Sequence, residues 1–199
     1  MLKIIGKTSS INVRKVLWTC AELALPFERQ DWEPGHASLN PNAMVPVLVD
    51  GDFVMWESNA ICRYLASRYP QAGLLGTDTR QRARIEQWMD WQATELNNSW
   101  RYAFMALVRR SPAHLDAVQV HASIAGWNRH IGILEAQLRS AGPFVTGEAF
   151  TLADVVLGLS VNRWALTPME RPDYPAVQAY YDRLAERQGF RQYGRNGTP

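Results

Sequence analysis

The chain has 199 residues and a formal net charge of +2, with 47% hydrophobic and 20% charged side chains. This is folded-domain composition, enough for one domain or two small ones, and it excludes a disordered chain. No Lys/Arg block of about five to eight residues points to nucleic acid. No apolar run reaches the roughly 18 residues that a membrane span requires. The opening MLKIIGKTSS is too short in its apolar part for a secretion signal. Cys20 and Cys62 have neither CxxC nor metal spacing. The expectation is a cytoplasmic protein with two reduced, structural thiols and no metal, nucleic-acid or membrane partner.

In chain order, Leu2-Lys3-Ile4-Ile5 reads as a short strand, and Thr8-Ser9-Ser10 as a polar loop able to cap the next helix. Val13, Val16, Leu17, Cys20, Leu23 and Ala24 then recur at helical spacing. Pro26 to Arg29 reads as a second strand, and Trp32 to Asn40, with Pro34-Gly35, as a loop. Pro46 opens the apolar run Val47-Leu48-Val49, Asp50-Gly51 signals a hairpin, and Phe53-Val54-Met55 is its return strand. A proline there marks a strand start or a cis bond. Glu57-Ser58 precedes a helical pattern of Ile61, Tyr64 and Leu65, where a hydroxyl and free N–H groups would receive a carboxylate. The order β-α-β, loop, β-β-α calls for a right-handed crossover and helices covering a sheet.

After Pro70 to Asp78 the strand signals stop. Gln81 to Arg110 carries one long helical pattern and Leu115 to Leu138 a second, including Val118, His121, Ile124 and Ile131, stopped by Gly142-Pro143. Thr151 to Trp164 is apolar nearly all round, as a buried central helix should be. It starts with a capping box, Thr151 with Asp154, and a staple of Phe150 on Val155. Asp173 to Arg187, led by Tyr174-Pro175, is a fourth helical pattern. The expected organisation is an α/β domain over 1–72, a linker over 73–79 and an all-α bundle over 80–199.

Three segments carry a family resemblance: Asn40-Pro41-Asn42-Ala43-Met44-Val45-Pro46, Glu57-Ser58-Asn59-Ala60-Ile61 and Phe150-Thr151-Leu152-Ala153-Asp154. Over nearly its whole length the chain resembles the cytosolic glutathione transferases, of the bacterial serine-type or nu-like kind. The resemblance implies a thioredoxin-like first domain with a cis Val45–Pro46 bond, glutathione as co-substrate and a homodimer. It implies a detoxifying transferase whose activated thiolate attacks a small hydrophobic electrophile. Val45 would pair its backbone with the cysteinyl part of glutathione beside Pro46. Ser58 would hold the γ-glutamyl carboxylate, and Glu57 would face its ammonium. Ser10 aligns with the activating Ser of the serine-type classes and Asn12 with an Asn of nu-like members, Ser9 being the fallback. As plain structure, these residues would only cap helices.

Activation matters because a free thiol has a pKa near ~8.5, so a donor aimed at sulfur favours the thiolate. The loop before the first helix holds no Tyr and no Cys, which disfavours a tyrosine-type enzyme and an enzyme-cysteine mechanism. Met44 stands where relatives often carry Lys or Arg, leaving His36 or Trp32 to supply a donor. Gln188-Gly189 stands where relatives often have a proline. On the second-substrate side Trp100, Phe104 and Trp164 are the candidates, against a plain core or interface role. Rival readings are a nu-like glutathione-dependent disulfide reductase, a zeta-like isomerase (disfavoured, since that loop carries a Cys between its serines) and a non-catalytic binding protein on the same fold.

Overall fold

The structure is a computed structural model that describes residues 1–199. Four strands, β1 (Leu2–Ile5), β2 (Phe27–Gln30), β3 (Val47–Asp50) and β4 (Phe53–Trp56), form one sheet in the order β2-β1-β3-β4. β1 and β2 run parallel, so helix α1 (Ile11–Glu22) makes the crossover between them. β3 lies antiparallel to both β1 and β4. Helix α2 (Ser58–Arg68) closes this thioredoxin-like unit. Residues Trp32 to Asn40, expected as open loop, contain a 3-10 helix at Pro34–Leu39.

The rest is an all-helical bundle: α3 (Thr79–Trp91), α4 (Asn97–Leu107), α5 (Ala117–Ala141), α6 (Leu152–Leu166), α7 (Pro175–Leu184) and α8 (Gln188–Tyr193). The long pattern from Gln81 is one helical rod interrupted by a π-turn at Gln92–Leu96. At that turn Gln92 is buried and accepts from Lys15 Nζ at 2.8 Å while donating to Ser160 Oγ at 3.0 Å. One extra residue in the turn aims the Gln92 amide inward. The first turns of α5 stand in solvent: Val118 is exposed, and so is His121, against their expected place on the packed face.

α6 is buried over 13 of its residues and forms the centre of the bundle. Asp154 accepts from the Thr151 N–H at 2.8 Å and also from the Val145 N–H at 2.9 Å, so one carboxylate starts the helix and pins the preceding loop. Phe150 packs on Trp18 and Phe144, with ring centroids 5.6 and 5.7 Å away. The staple is therefore aromatic and reaches across to α1. Trp18 also meets Phe190 of α8 at 4.9 Å, and one continuous core joins the sheet unit to the bundle. Helix α8 escaped the sequence pattern, being only six residues long with no side-chain cap.

Candidate functional site

Three pieces of chain meet at the edge of the sheet. The Val45–Pro46 bond is cis, and Asn40, itself buried, holds the approach to it. Its side-chain amide donates to Met44 O at 2.9 Å and its oxygen accepts from the Asn42 N–H at 2.9 Å. The Val45 N–H and C=O make no hydrogen bond within the chain, so a peptide-like ligand has a donor and an acceptor to pair with. Gly6, at φ +144°, allows the end of β1 to pass close by. A Cβ there would lie 2.5 Å from Val13 Cγ2 and 2.9 Å from Val45 Cβ.

Glu57 precedes α2 at φ 72° and ψ 107°, a conformation that non-glycine residues avoid. Its side chain does not cap the helix, and its charge acts on the buried Lys15 ammonium from a distance. The N–H groups of the first turn of α2 are thus open, and the helix dipole favours an anion there. Ser58 is buried as the first residue of the helix. Next to it Asn59 accepts from Lys15 Nζ at 3.1 Å and donates to Met89 O at 3.0 Å, tying this helix start to α1 and α3. That buried polar network, Lys15-Asn59-Gln92, escaped sequence reading because its members lie far apart in the chain. Burial is the main cause that holds the Lys15 ammonium down to about 8.

A cavity of about 200 Å³ is lined by Asn12, Asn40, Asn42, Met44, Val45, Pro46, Glu57 and Ser58. It is small, and five of its eight lining residues are Asn, Glu or Ser, which suits an extended peptide-like anion better than an apolar ring. Of the expected residues, Asn12, Val45, Pro46, Glu57 and Ser58 come together here. Ser9 and Ser10 stand outside the lining, with Ser10 as the residue before α1. The Ser10 hydroxyl does not cap the helix, contrary to the expectation for that loop, and so is free for another acceptor or donor. His36 lies outside the lining too. Its Nδ1 accepts from the Glu33 N–H at 3.0 Å within the 3-10 turn, leaving the other ring nitrogen. Trp32 packs beside it at 5.9 Å.

On the bundle side, Trp100 and Phe104 meet edge-on at 5.4 Å. Trp164 does not join them. Its indole N–H donates to Asn128 at 2.8 Å and its ring packs against Tyr174 at 6.0 Å, toward α5 and the segment before α7. Adjacent side chains on a helix diverge by about 100°, and it is the neighbour, Arg163, that turns to Trp100 and Phe104. Cys20 and Cys62 are buried, and desolvation pushes their thiols up to about 12 and about 11. No cluster of three His, Cys, Asp or Glu side chains is arranged to hold a metal ion, and no helix is long and apolar enough to cross a membrane.

Comparison with known proteins agrees with this geometry. The glutathione S-transferase N-terminal domain family matches residues 4–73 and the glutathione S-transferase C-terminal domain family matches residues 112–183. The chain is 34% identical to glutathione S-transferase GstB of Escherichia coli, over 96% of this chain and 97% of that one. It superimposes with a TM-score of 0.89 on the glutathione-bound theta class enzyme of Xanthomonas axonopodis pv. citri, 34% identical over 96% of both chains. It is also 31% identical to elongation factor 1-gamma 1 of rice, over 86% of this chain and 41% of that protein.

Proposed function

The chain belongs to the glutathione S-transferase family, and we propose that it binds glutathione in the cavity at Val45 and Ser58 and activates the thiol for attack on an apolar electrophile. The observation that carries this reading is the convergence of the unpaired Val45 backbone, the open first turn of α2 and the Glu57 carboxylate on one cavity with Asn12. Each matches one part of glutathione. The Val45 N–H and C=O suit the cysteinyl backbone, the N–H groups and hydroxyl of Ser58 suit the γ-glutamyl carboxylate, and Glu57 suits the ammonium. Ser9, Pro46 and His36 complete the glutathione side. Trp100, Phe104 and Trp164 were the sequence candidates for the second substrate, and the first two, which face Arg163, carry that role in our reading.

The thiol is activated by Ser10 in the serine-type reading and by Asn12 in the nu-like reading. The theta class likeness supports the former. The position of Asn12 in the cavity lining, with Ser10 outside it, supports the latter, and with it glutathione-dependent disulfide reduction as a second activity. We read the chain as domains 1–72 and 80–199 joined by 73–79, cytoplasmic, and a homodimer. Met44, which lines the cavity, leaves exposed apolar surface there for a second copy to cover.

Calorimetric titration of glutathione and glutathione disulfide into wild type, Ser10→Ala and Asn12→Ala tests the reading, together with turnover of an aryl halide. Binding of neither form would end both enzyme readings in favour of a non-catalytic protein. Turnover lost with binding retained in Ser10→Ala assigns the serine. The same pattern in Asn12→Ala, with tighter disulfide binding, assigns the reductase.

A further inference from the structure

Three arginines, Arg14, Arg109 and Arg163, gather where α1 meets the bundle, near enough to repel one another. Arg163, on α6, is only 4% exposed, and its Nε–H is buried without a partner. No carboxylate pairs with it and no acceptor meets its amino groups. Its guanidinium lies 4.1 Å from the Phe104 ring centre and 4.6 Å from that of Trp100. Arg109 approaches the same Phe104 ring at 5.5 Å. Arg14, on α1, is fully buried, with its Nε–H also unpaired. Its amino groups donate only to main-chain oxygens, those of Thr198 at 2.8 Å and Pro199 at 2.9 Å, and more weakly to Tyr193 at 3.4 Å. Asn162 also holds the Thr198 oxygen, at 2.8 Å, so Thr198 and Pro199 lie against Arg14.

Buried charges are normally paired, because an unpaired one is costly. Burial, and then the neighbouring arginines, hold the Arg163 guanidinium down to about 9, with no acid among the influences on it. The unpaired charge of the cluster is therefore that of Arg163, which has no acceptor at all, whereas Arg14 has its amino groups on main-chain oxygens. The main-chain N–H of Arg14 donates to Ser10 O at 3.0 Å, so Arg14 stands one helical turn from the residue that the serine-type reading puts at the sulfur.

We propose that the second substrate carries an anionic group, a carboxylate, sulfonate or phosphate, on an aromatic or apolar body, and that Arg163 binds this group with Arg14 and Arg109 beside it. The body of the substrate lies against Trp100 and Phe104, and the anion takes the place of the Thr198 and Pro199 oxygens on Arg14. The inference rests on the glutathione-transferase reading. For an aryl halide the glutathione sulfur forms the new C–S bond, the halide leaves with the C–X electron pair, and the thiol proton passes to solvent.

The test uses matched probes. Turnover of 4-chloro-3,5-dinitrobenzoate and of its methyl ester is measured with glutathione, each rate divided by its uncatalysed rate. Binding of unreactive 3,5-dinitrobenzoate and its methyl ester is followed without glutathione by tryptophan fluorescence. Wild type is expected to prefer each carboxylate by about tenfold or more, the size of a hydrogen bond to a charged group. Arg163→Gln should abolish the preference and Arg109→Gln should reduce it. Equal or better use of the esters by wild type, or an unchanged preference in Arg163→Gln, overturns the proposal.

The two readings separate cleanly. Ester turnover with no carboxylate preference removes the anion site and leaves the transferase. Carboxylate-selective binding lost in Arg163→Gln, with no glutathione binding, removes the transferase and keeps the anion site. If Arg163→Gln fails to fold by circular dichroism, exposed Arg109 carries the test, and an unchanged preference there overturns the proposal.

Discussion

Replacing Glu57 by glycine should make the protein more stable and worse at its task. Glu57 is exposed at φ 72°, and its side chain makes no hydrogen bond that would explain that conformation. Such a residue costs about 1–3 kcal/mol in the folded state, and glycine removes that cost. The added freedom of glycine in the unfolded chain returns about 0.5–1 kcal/mol. The net expectation is a gain of ~1 kcal/mol, which raises Tm by about 2–4 °C for a chain of this length. Loss of the carboxylate removes the proposed charge-assisted partner of the γ-glutamyl ammonium, so glutathione affinity should fall about tenfold or more. Glu57→Gln separates the two effects: affinity falls and Tm does not rise. Thermal unfolding by circular dichroism and calorimetric titration measure both quantities. A Glu57→Gly protein that melts at or below the wild-type temperature would refute the strain argument. One that binds glutathione like wild type would refute the assigned role.

Gly189→Ala should destabilise the protein by ~2 kcal/mol in urea melts, because its Cβ would lie 2.4 Å from Trp18 Cδ1 in a fully packed region where overfilling is costly. Cys20 and Cys62 should resist iodoacetamide at pH 8 in the native protein and react in urea, since burial raises both thiols; mass spectrometry counts the adducts. Lys15 supplies the pH dependence. Its folded pKa of about 8 lies below its ordinary 10.5, so the unfolded chain binds more protons between those values and stability from this group grows as pH rises through them. The stability difference between wild type and Lys15→Met should therefore increase from pH 8 to pH 10, by at most ~3 kcal/mol, in denaturant titrations at each pH. A flat difference would mean that Lys15 titrates alike in both states.

What could be read from the chain alone was set by sequence distance. The hairpin, Pro46 and the Glu57-Ser58 helix start lie within one local stretch, and each depends on turn, proline or helix-start chemistry that neighbouring residues determine. The capping box at Thr151 was legible for the same reason. What was missed depends on partners far along the chain. Gln92 opens a π-turn in which its amide accepts from Lys15 and donates to Ser160, both far away in the chain. Helix α8 has no cap, and its place depends on Gly189 lying against Trp18. Val118 has the right spacing for a core face, yet nothing covers that end of α5.

The second-substrate side shows the limit most sharply. α6 is apolar nearly all round, so its periodicity has no polar face to say which side chain points where. In the sequence Trp164, with Arg163 beside it, was a candidate for that side. In the fold Trp164 satisfies its N–H on Asn128 and becomes core, whereas Arg163 has no partner and lies on Trp100 and Phe104. A buried tryptophan needs only shape and one acceptor. A buried arginine needs a counter-charge. The side chain whose need the fold leaves unmet is the better indicator of a ligand, and it moves the expected second substrate from a plain hydrophobe to one with an anionic end.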